Sequence, residues 1–294
     1  MATLRDLRKR LKAIQGTKKI TAAMKMVAAS KLRKVQDRML NFRPYAIKMN
    51  TVLSDLAKAT EGSEDHPLLL TRPPKKVELV VITSDKGLCG AFNTNILKAA
   101  TQHINALKKE GREVSVSVVG RKARDYFRRR EIPLRKTWLG LSGKINYVSA
   151  QEIAADLIEN YASEASDEVI LIYNEFKSII VQKVTVTRLL PIGGMETSDT
   201  QTAANIPYAP FLYEPSRELL FERLLPKYIE IQAYRALLES QAAEEAARMA
   251  AMENASKNCE ELITKVTLHA NKVRQAGITK ELMDIVGGVE ALKQ

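Results

Sequence analysis

From Leu4 the apolar side chains recur at Leu7, Leu11 and Ile14, in steps of three and four residues that predict a helix with a heptad seam. Gly16 and the pair Lys18-Lys19 interrupt the seam, which resumes at Ile20, Met24 and Val27 and then shifts to Leu32, Val35, Met39 and Phe42. A register that drifts in this way predicts irregular pairing with a partner helix. Asn41, Pro44 and the stretch 62–74 with its Pro73-Pro74 pair supply stop signals, so the helix is placed over 1–58, with Pro44 as a point where it can kink.

The same helical pattern returns after Pro215-Ser216 and meets no breaker until Gly287-Gly288, apart from Pro226 near its start. About 70 residues at about 1.5 Å each make a rod on the order of 100 Å, too long for a compact domain to enclose. Alanines crowd it at 236, 242, 243, 246, 247, 250, 251 and 255, and the first helix has its own at 22, 23, 28 and 29. Small side chains on both rods allow close backbone approach, although alanine also simply favours helix.

Between the rods the period changes. The run 77–83 (VELVVIT) reads as a strand, followed by a glycine-containing loop at 84–90 and a helix from Asn93 to Lys109. A second strand at 114–119, a short basic helix at 121–130, a third strand at 133–139 and a helix at 150–162 come next, and then strands at 169–173 and 179–189 joined by a loop at 174–178. Alternation of strand and helix predicts a mainly parallel sheet flanked by helices. The fold class expected is therefore mixed α/β: two long terminal helices able to lie close together, with an α/β domain inserted between them. The expected divisions are 1–58, 75–190, a linker at 191–215, and 216–294.

Charge changes this picture once it is located. The net charge is +12, and residues 1–50 alone hold 14 Lys/Arg against Asp6 and Asp37, the whole excess. Such a basic rod reads as a nucleic-acid arm, a mitochondrial presequence, a helix that meets an acidic protein partner, or merely a solvated face, and charge alone does not choose. No run of about 18 apolar residues occurs, so no bilayer span is expected. Cys89 and Cys259, far apart in a chain without an apolar leader, point to free thiols in a reducing compartment.

Catalytic chemistry is hard to find. The first loop has Gly87-x-x-Gly90 but neither GxGxxG nor GxxxxGK[ST], so a nucleotide site is not expected there. His66, His103 and His269 have no His or Cys at helical ligand spacing, which leaves no metal or Cys/His scheme. Carboxylates such as Glu218 and Glu222 read as a solvated helix face. The cluster Arg121, Lys122, Arg124, Arg128, Arg129 and Arg130, with Tyr126 and Phe127, can serve phosphates or acidic side chains, or be merely solvated.

Three stretches carry a resemblance: 20–31 (ITAAMKMVAASK), 84–90 (SDKGLCG) with the strand before it, and 246–258 (AARMAAMENASKN) continuing into 271–284 (NKVRQAGITKELMD). In order and over nearly the whole chain, they resemble the gamma-subunit family of F-type ATP synthases, in the bacterial type. The resemblance implies a central-stalk rotor without a catalytic site, cofactor or metal of its own. In that family the N- and C-terminal helices wind into a long antiparallel coiled coil, an axle inside a hexamer of alpha and beta subunits, and the inserted Rossmann-like α/β domain is a foot that sits with the epsilon subunit on the membrane c-ring.

By the same resemblance, Met24, Lys25 and Lys31 face acidic beta-subunit loops, and Arg274 with Gln275 hydrogen-bonds a beta-subunit loop. Ile278, Leu282, Ile285 and Val289 enter an apolar bearing, where Gly287, Val289 and Glu290 stand in place of the family's usual small residues. The implied location is the cytoplasmic face of a bacterial inner membrane, held peripherally through the c-ring. No nucleic-acid partner is implied, and no plastid-type regulatory cysteine insertion is present at 190–215.

Overall fold

A computed structural model describes residues 3–59, 66–141, 143, 145–192 and 217–291, with side chains described for all of these except 54–59, 217–218, 287 and 289–291. Ten elements follow in chain order: α1 (Leu4–Ala59), β1 (Lys76–Ile82), α2 (Phe92–Lys109), β2 (Glu113–Val119), α3 (Arg121–Arg128), β3 (Leu134–Trp138), α4 (Tyr147–Ala162), β4 (Glu168–Phe176), β5 (Gln182–Leu190) and α5 (Arg217–Ala291). The expected linker at 191–215 falls, from 193 on, outside the described residues. Contacts divide the chain into two units, one of residues 1–29 with 248–294, the other of residues 30–247.

In the second unit a five-stranded sheet has the order β3-β2-β1-β4-β5. β1 pairs in parallel with β2 and β4, β2 in parallel with β3, and β5 returns antiparallel along β4. β1 is central and covered on both faces, which is why it reads as an uninterrupted apolar run rather than an alternating one. Its Val77, Leu79 and Val81 pack under α2 and α3, whereas Val80 and Ile82 pack under α4 and the local parts of α1 and α5. Successive side chains of one strand thus feed two separate cores.

Several boundaries moved for identifiable reasons. α4 begins three residues before the expected start, because the Asn146 carboxamide oxygen accepts from the Ser149 N–H at 2.9 Å and caps the first turn. The β4–β5 hairpin turns at 177–181 rather than 174–178; residues 174–176 are held in the ladder by Val184, Lys183 and Gln182. α1 continues past Pro44 and α5 past Pro226. Burial explains this: Leu53 beyond the first proline, and Leu225 and Ile229 around the second, are wholly buried, so packing outweighs the lost hydrogen bond. α5 also runs through Gly287-Gly288.

In the first unit α1 and α5 lie antiparallel. Thr3 caps α1: its hydroxyl accepts from the Asp6 N–H, and the Asp6 carboxylate accepts from the Thr3 N–H, a reciprocal capping box. The seam differs from the expected one. Leu7, Thr21 and Ala28 are buried and Ile14 half-buried, at intervals of seven, and Met252, Cys259 and Val266 form the matching series on α5. Ile20 and Val27, placed on the seam by sequence, are 62% and 55% exposed. The pattern went astray because Thr21 and Ala28 are not conspicuous apolar residues, yet small side chains are what a close helix crossing buries.

Candidate functional site

An open α/β sheet binds ligands beyond the carboxyl ends of its strands, at the point where strand order reverses. Here that point lies between β1 and β4, and α5 occupies it. Ala243 and Ala247 pack against Cys89 of the β1 loop and Phe92 at the start of α2, with Phe176 of β4 alongside. The residual cavity, lined by Thr83, Asp85, Gly120, Ser240, Gln241 and Glu244 among others, is about 20 Å³. That is room for one water and far below the few hundred cubic ångströms of a ligand site.

The loop itself is turned inward. The Ser84 N–H and hydroxyl donate to the Asn93 carboxamide oxygen at 3.1 and 3.0 Å, and the Asn93 amide donates back to Ser84 Oγ at 2.8 Å. A Cβ at Gly87 would meet nothing closer than the end of the Lys122 side chain at 3.8 Å. The glycine with no alternative is Gly120, at φ +96°, where a Cβ would fall 2.3 Å from the Thr83 carbonyl oxygen. The expected lack of a phosphate loop therefore has a structural counterpart: the crevice is filled by the chain's own helix.

Residues 236–247 of α5 are buried throughout, and Glu239, Glu244 and Glu245 lie among them. Reading the carboxylates as a solvated face holds for Glu222 but not for these. Burial raises the Glu239 carboxyl above its ordinary range, against the Arg235 guanidinium 2.9 Å away. A second buried acid sits in β1. Glu78 accepts from Ser117 Oγ at 2.5 Å, Arg135 Nε at 2.7 Å and Asn160 Nδ2 at 2.6 Å, while Arg135 also reaches Asp156. This network joins three strands and α4 beneath one face of the sheet.

Histidines offer no cluster. His66 is lowered by desolvation, against Glu222; His103 is half-buried in α2 with an unpartnered Nε2; His269 is exposed. Among the described residues no group of acidic, histidine or cysteine side chains is arranged to hold a metal ion. In the 121–130 cluster Phe127 is buried, Arg130 stacks over Tyr126 at 3.7 Å, half-buried Arg124 donates to Asp125 at 2.8 Å, and Arg128 and Arg129 are exposed.

The residues singled out from sequence lie on the two long helices. Met24 is half-buried. Lys25 reaches Glu253 at 3.4 Å within the first unit, and Lys31 reaches Glu245 at 3.6 Å within the second. Lys18 pairs with Glu260 at 2.7 Å. Part of the basic excess is thus matched by carboxylates of α5, a pairing that charge counting along the chain does not reveal. Arg274, Gln275, Ile278, Leu282 and Ile285 are all exposed; the side chain of Val289 lies outside the described residues. The numbers of facing residues in the helix pair add to 277 or 278, so from Gln275 on no residue of α1 stands opposite α5. Residues 274–286 form one exposed helical run that presents Ile278, Leu282, Met283, Ile285 and Val286.

No described helix is long and apolar enough to cross a membrane. A family model described as ATP synthase matches residues 3–292. The chain is 46% identical over 295 residues to the ATP synthase gamma chain of Syntrophobacter fumaroxidans and 45% identical over 294 residues to that of Geobacter metallireducens, in each case over all of both chains. Among solved structures it is similar to a chain of the Tetrahymena thermophila mitochondrial ATP synthase central stalk and c-ring, with 32% identity, a TM-score of 0.60, and coverage of 81% of this chain and 99% of that one. A chain of the Euglena gracilis mitochondrial ATP synthase shares the fold at a TM-score of 0.65 and 21% identity, over 98% of this chain and 94% of that one. With the family model and full-length relatives in agreement, this chain belongs to the gamma-chain family of ATP synthases.

Proposed function

We propose that this chain is the central-stalk rotor of a bacterial proton-translocating F-type ATP synthase. It performs no bond chemistry itself; ATP is made or hydrolysed in the beta subunits. Its partners are the hexamer of alpha and beta subunits, the epsilon subunit and the c-ring, through which it is held peripherally at the cytoplasmic face of the inner membrane. The observation that carries this reading is the antiparallel helix pair in which α5 runs on, exposed, beyond residue 274. A lone helix that leaves five large apolar side chains in water is suited to burial inside another assembly.

Rotation works through differential contact. An axle whose faces differ favours a different beta-subunit conformation on each side, and turning it shifts those populations in sequence. Met24, Lys25 and Lys31 are assigned to acidic segments of beta, Arg274 and Gln275 to hydrogen bonds with a beta loop, and Ile278, Leu282, Ile285 and Val289 to an apolar bearing. Lys25 and Lys31 keep 41% and 48% of their side-chain surface exposed, so their internal ion pairs leave room for a second acidic partner. The test is purification through a tag on this chain. One copy should recover three copies each of two larger nucleotide-binding chains; salt-sensitive binding to DNA or RNA without those chains would defeat the proposal.

A further inference from the structure

The seam of the first unit contains one residue that an apolar seam does not require. Thr21 takes its turn in the seven-residue series with Leu7, Ile14 and Ala28 and is buried. Its hydroxyl donates to the Lys18 carbonyl at 3.0 Å and lies 2.7 Å from Ser256 Oγ. With the Thr21 proton committed to Lys18, Ser256 is the donor of the second bond, giving the chain Ser256 to Thr21 to the α1 backbone. On either side stand Lys18–Glu260 and Lys25–Glu253, seven residues apart on both helices.

These contacts differ in what they forbid. Hydrophobic contact is non-directional, so Leu7, Ala28, Met252, Cys259 and Val266 would tolerate a slip of one heptad. The ion pairs tolerate it in part: sliding one way sets Lys18 against Glu253, and sliding the other way sets Lys25 against Glu260. The hydroxyl bridge survives neither. A one-heptad slip brings Thr21 opposite Met249 or Ile263, and neither can donate to a buried hydroxyl. A single buried polar residue in a helical seam is a well-attested way to fix register.

We infer that Thr21 and Ser256 are positioning residues that lock the axial register of the α1–α5 pair, so that the two helices move as one body. The consequence for torque rests on the rotor reading; the register itself does not. The test is therefore made on the purified full chain, with Cys89 and Cys259 replaced by serine. One reporter, Ile14→Cys with Ile263→Cys, spans the native register; another, Ile14→Cys with Ala270→Cys, is one heptad out.

The reference chain should form a disulfide only in the first reporter. Thr21→Val with Ser256→Ala should allow the second to form as well with little change in melting temperature, and Thr21→Ser should restore the reference pattern. Ser256→Ala alone, which keeps the Thr21–Lys18 bond, serves if the double variant does not fold. A slipped reporter that stays reduced in both variants, or one that oxidises equally in the reference chain, would overturn the inference. Loss of the rotor reading would appear instead in the tag purification and would leave this pattern untouched.

Discussion

The ammonium of Lys31 stands 3.6 Å from the carboxylate of Glu245, and the two ends of this pair live in different surroundings: the lysine side chain is 48% exposed and the glutamate side chain 3%. Lys25 and Glu253, at 3.4 Å, are exposed to almost the same degree, 41% and 40%. Two lysines that sequence treats alike should therefore behave differently. Lys25→Ala should cost about 0.5 kcal/mol, as exposed pairs do, and that loss should shrink in high salt. Lys31→Ala removes a cation from a buried carboxylate and should cost about 1–2 kcal/mol, with weaker salt dependence. Urea unfolding of the purified chain at low and high ionic strength measures both; equal costs would contradict the difference in burial.

Glu78 is an acid in the middle of a central strand, wholly buried and served by Ser117, Arg135 and Asn160. Glu78→Ala takes the acceptor from buried Ser117 and from Asn160, leaves Arg135 to Asp156 alone, and should destabilise by about 1–3 kcal/mol. Glu78→Gln keeps an acceptor for Ser117 or Arg135 and should cost less. Denaturation of the two variants checks the ordering, and a glutamine as damaging as alanine would show that charge rather than hydrogen bonding holds the site.

The order of strands and helices was legible because each element announces its period, and the central run 77–83 could only be a covered strand. Glu78 escaped notice within that run: the donors that make it tolerable come from residues 39, 57 and 82 positions away. The terminal rods were legible from length, and Leu7, Leu32 and Val35 of the expected seam are buried. Between them Ile20 and Val27 drew the seam one position aside, where the buried residues are the small Thr21 and Ala28. Charge suffered in the same way, since Lys18 and Lys25 find their partners more than 200 residues later in the chain.

Glu239 makes stability fall as pH rises above the ordinary carboxyl range. Burial raises its folded carboxyl above the ordinary 4.5, the Arg235 guanidinium opposing. In the window just above that ordinary value the folded chain holds a proton that the unfolded chain has released. Its contribution is therefore complete below the unfolded value and is lost as pH rises through the folded one. Glu239→Gln should flatten the fall in stability above pH 4.5 and be neutral or stabilising at pH 7. Melting temperatures of both chains across mildly acid to neutral pH test this; a variant that is less stable at neutral pH and keeps the same slope would place the fall elsewhere.

Arg274 lies opposite the very start of α1 and Gln275 beyond it, and both are exposed. Exposed side chains at the end of a helix pair contribute little to folding, so replacing both by alanine should change stability by no more than about 0.5 kcal/mol. Their assignment to a beta-subunit loop predicts a loss of a different kind. The complex should still assemble and purify at normal stoichiometry, because the contact is made with one subunit at a time, while ATP synthesis falls with the loss of hydrogen bonds that favour one rotational state over the next. Assays on membrane vesicles, normalised to the amount of assembled complex, separate the two effects. Synthesis at the reference rate would remove the role given to the pair, whereas a chain that no longer assembles would show that these side chains hold the axle in place rather than act during its turning.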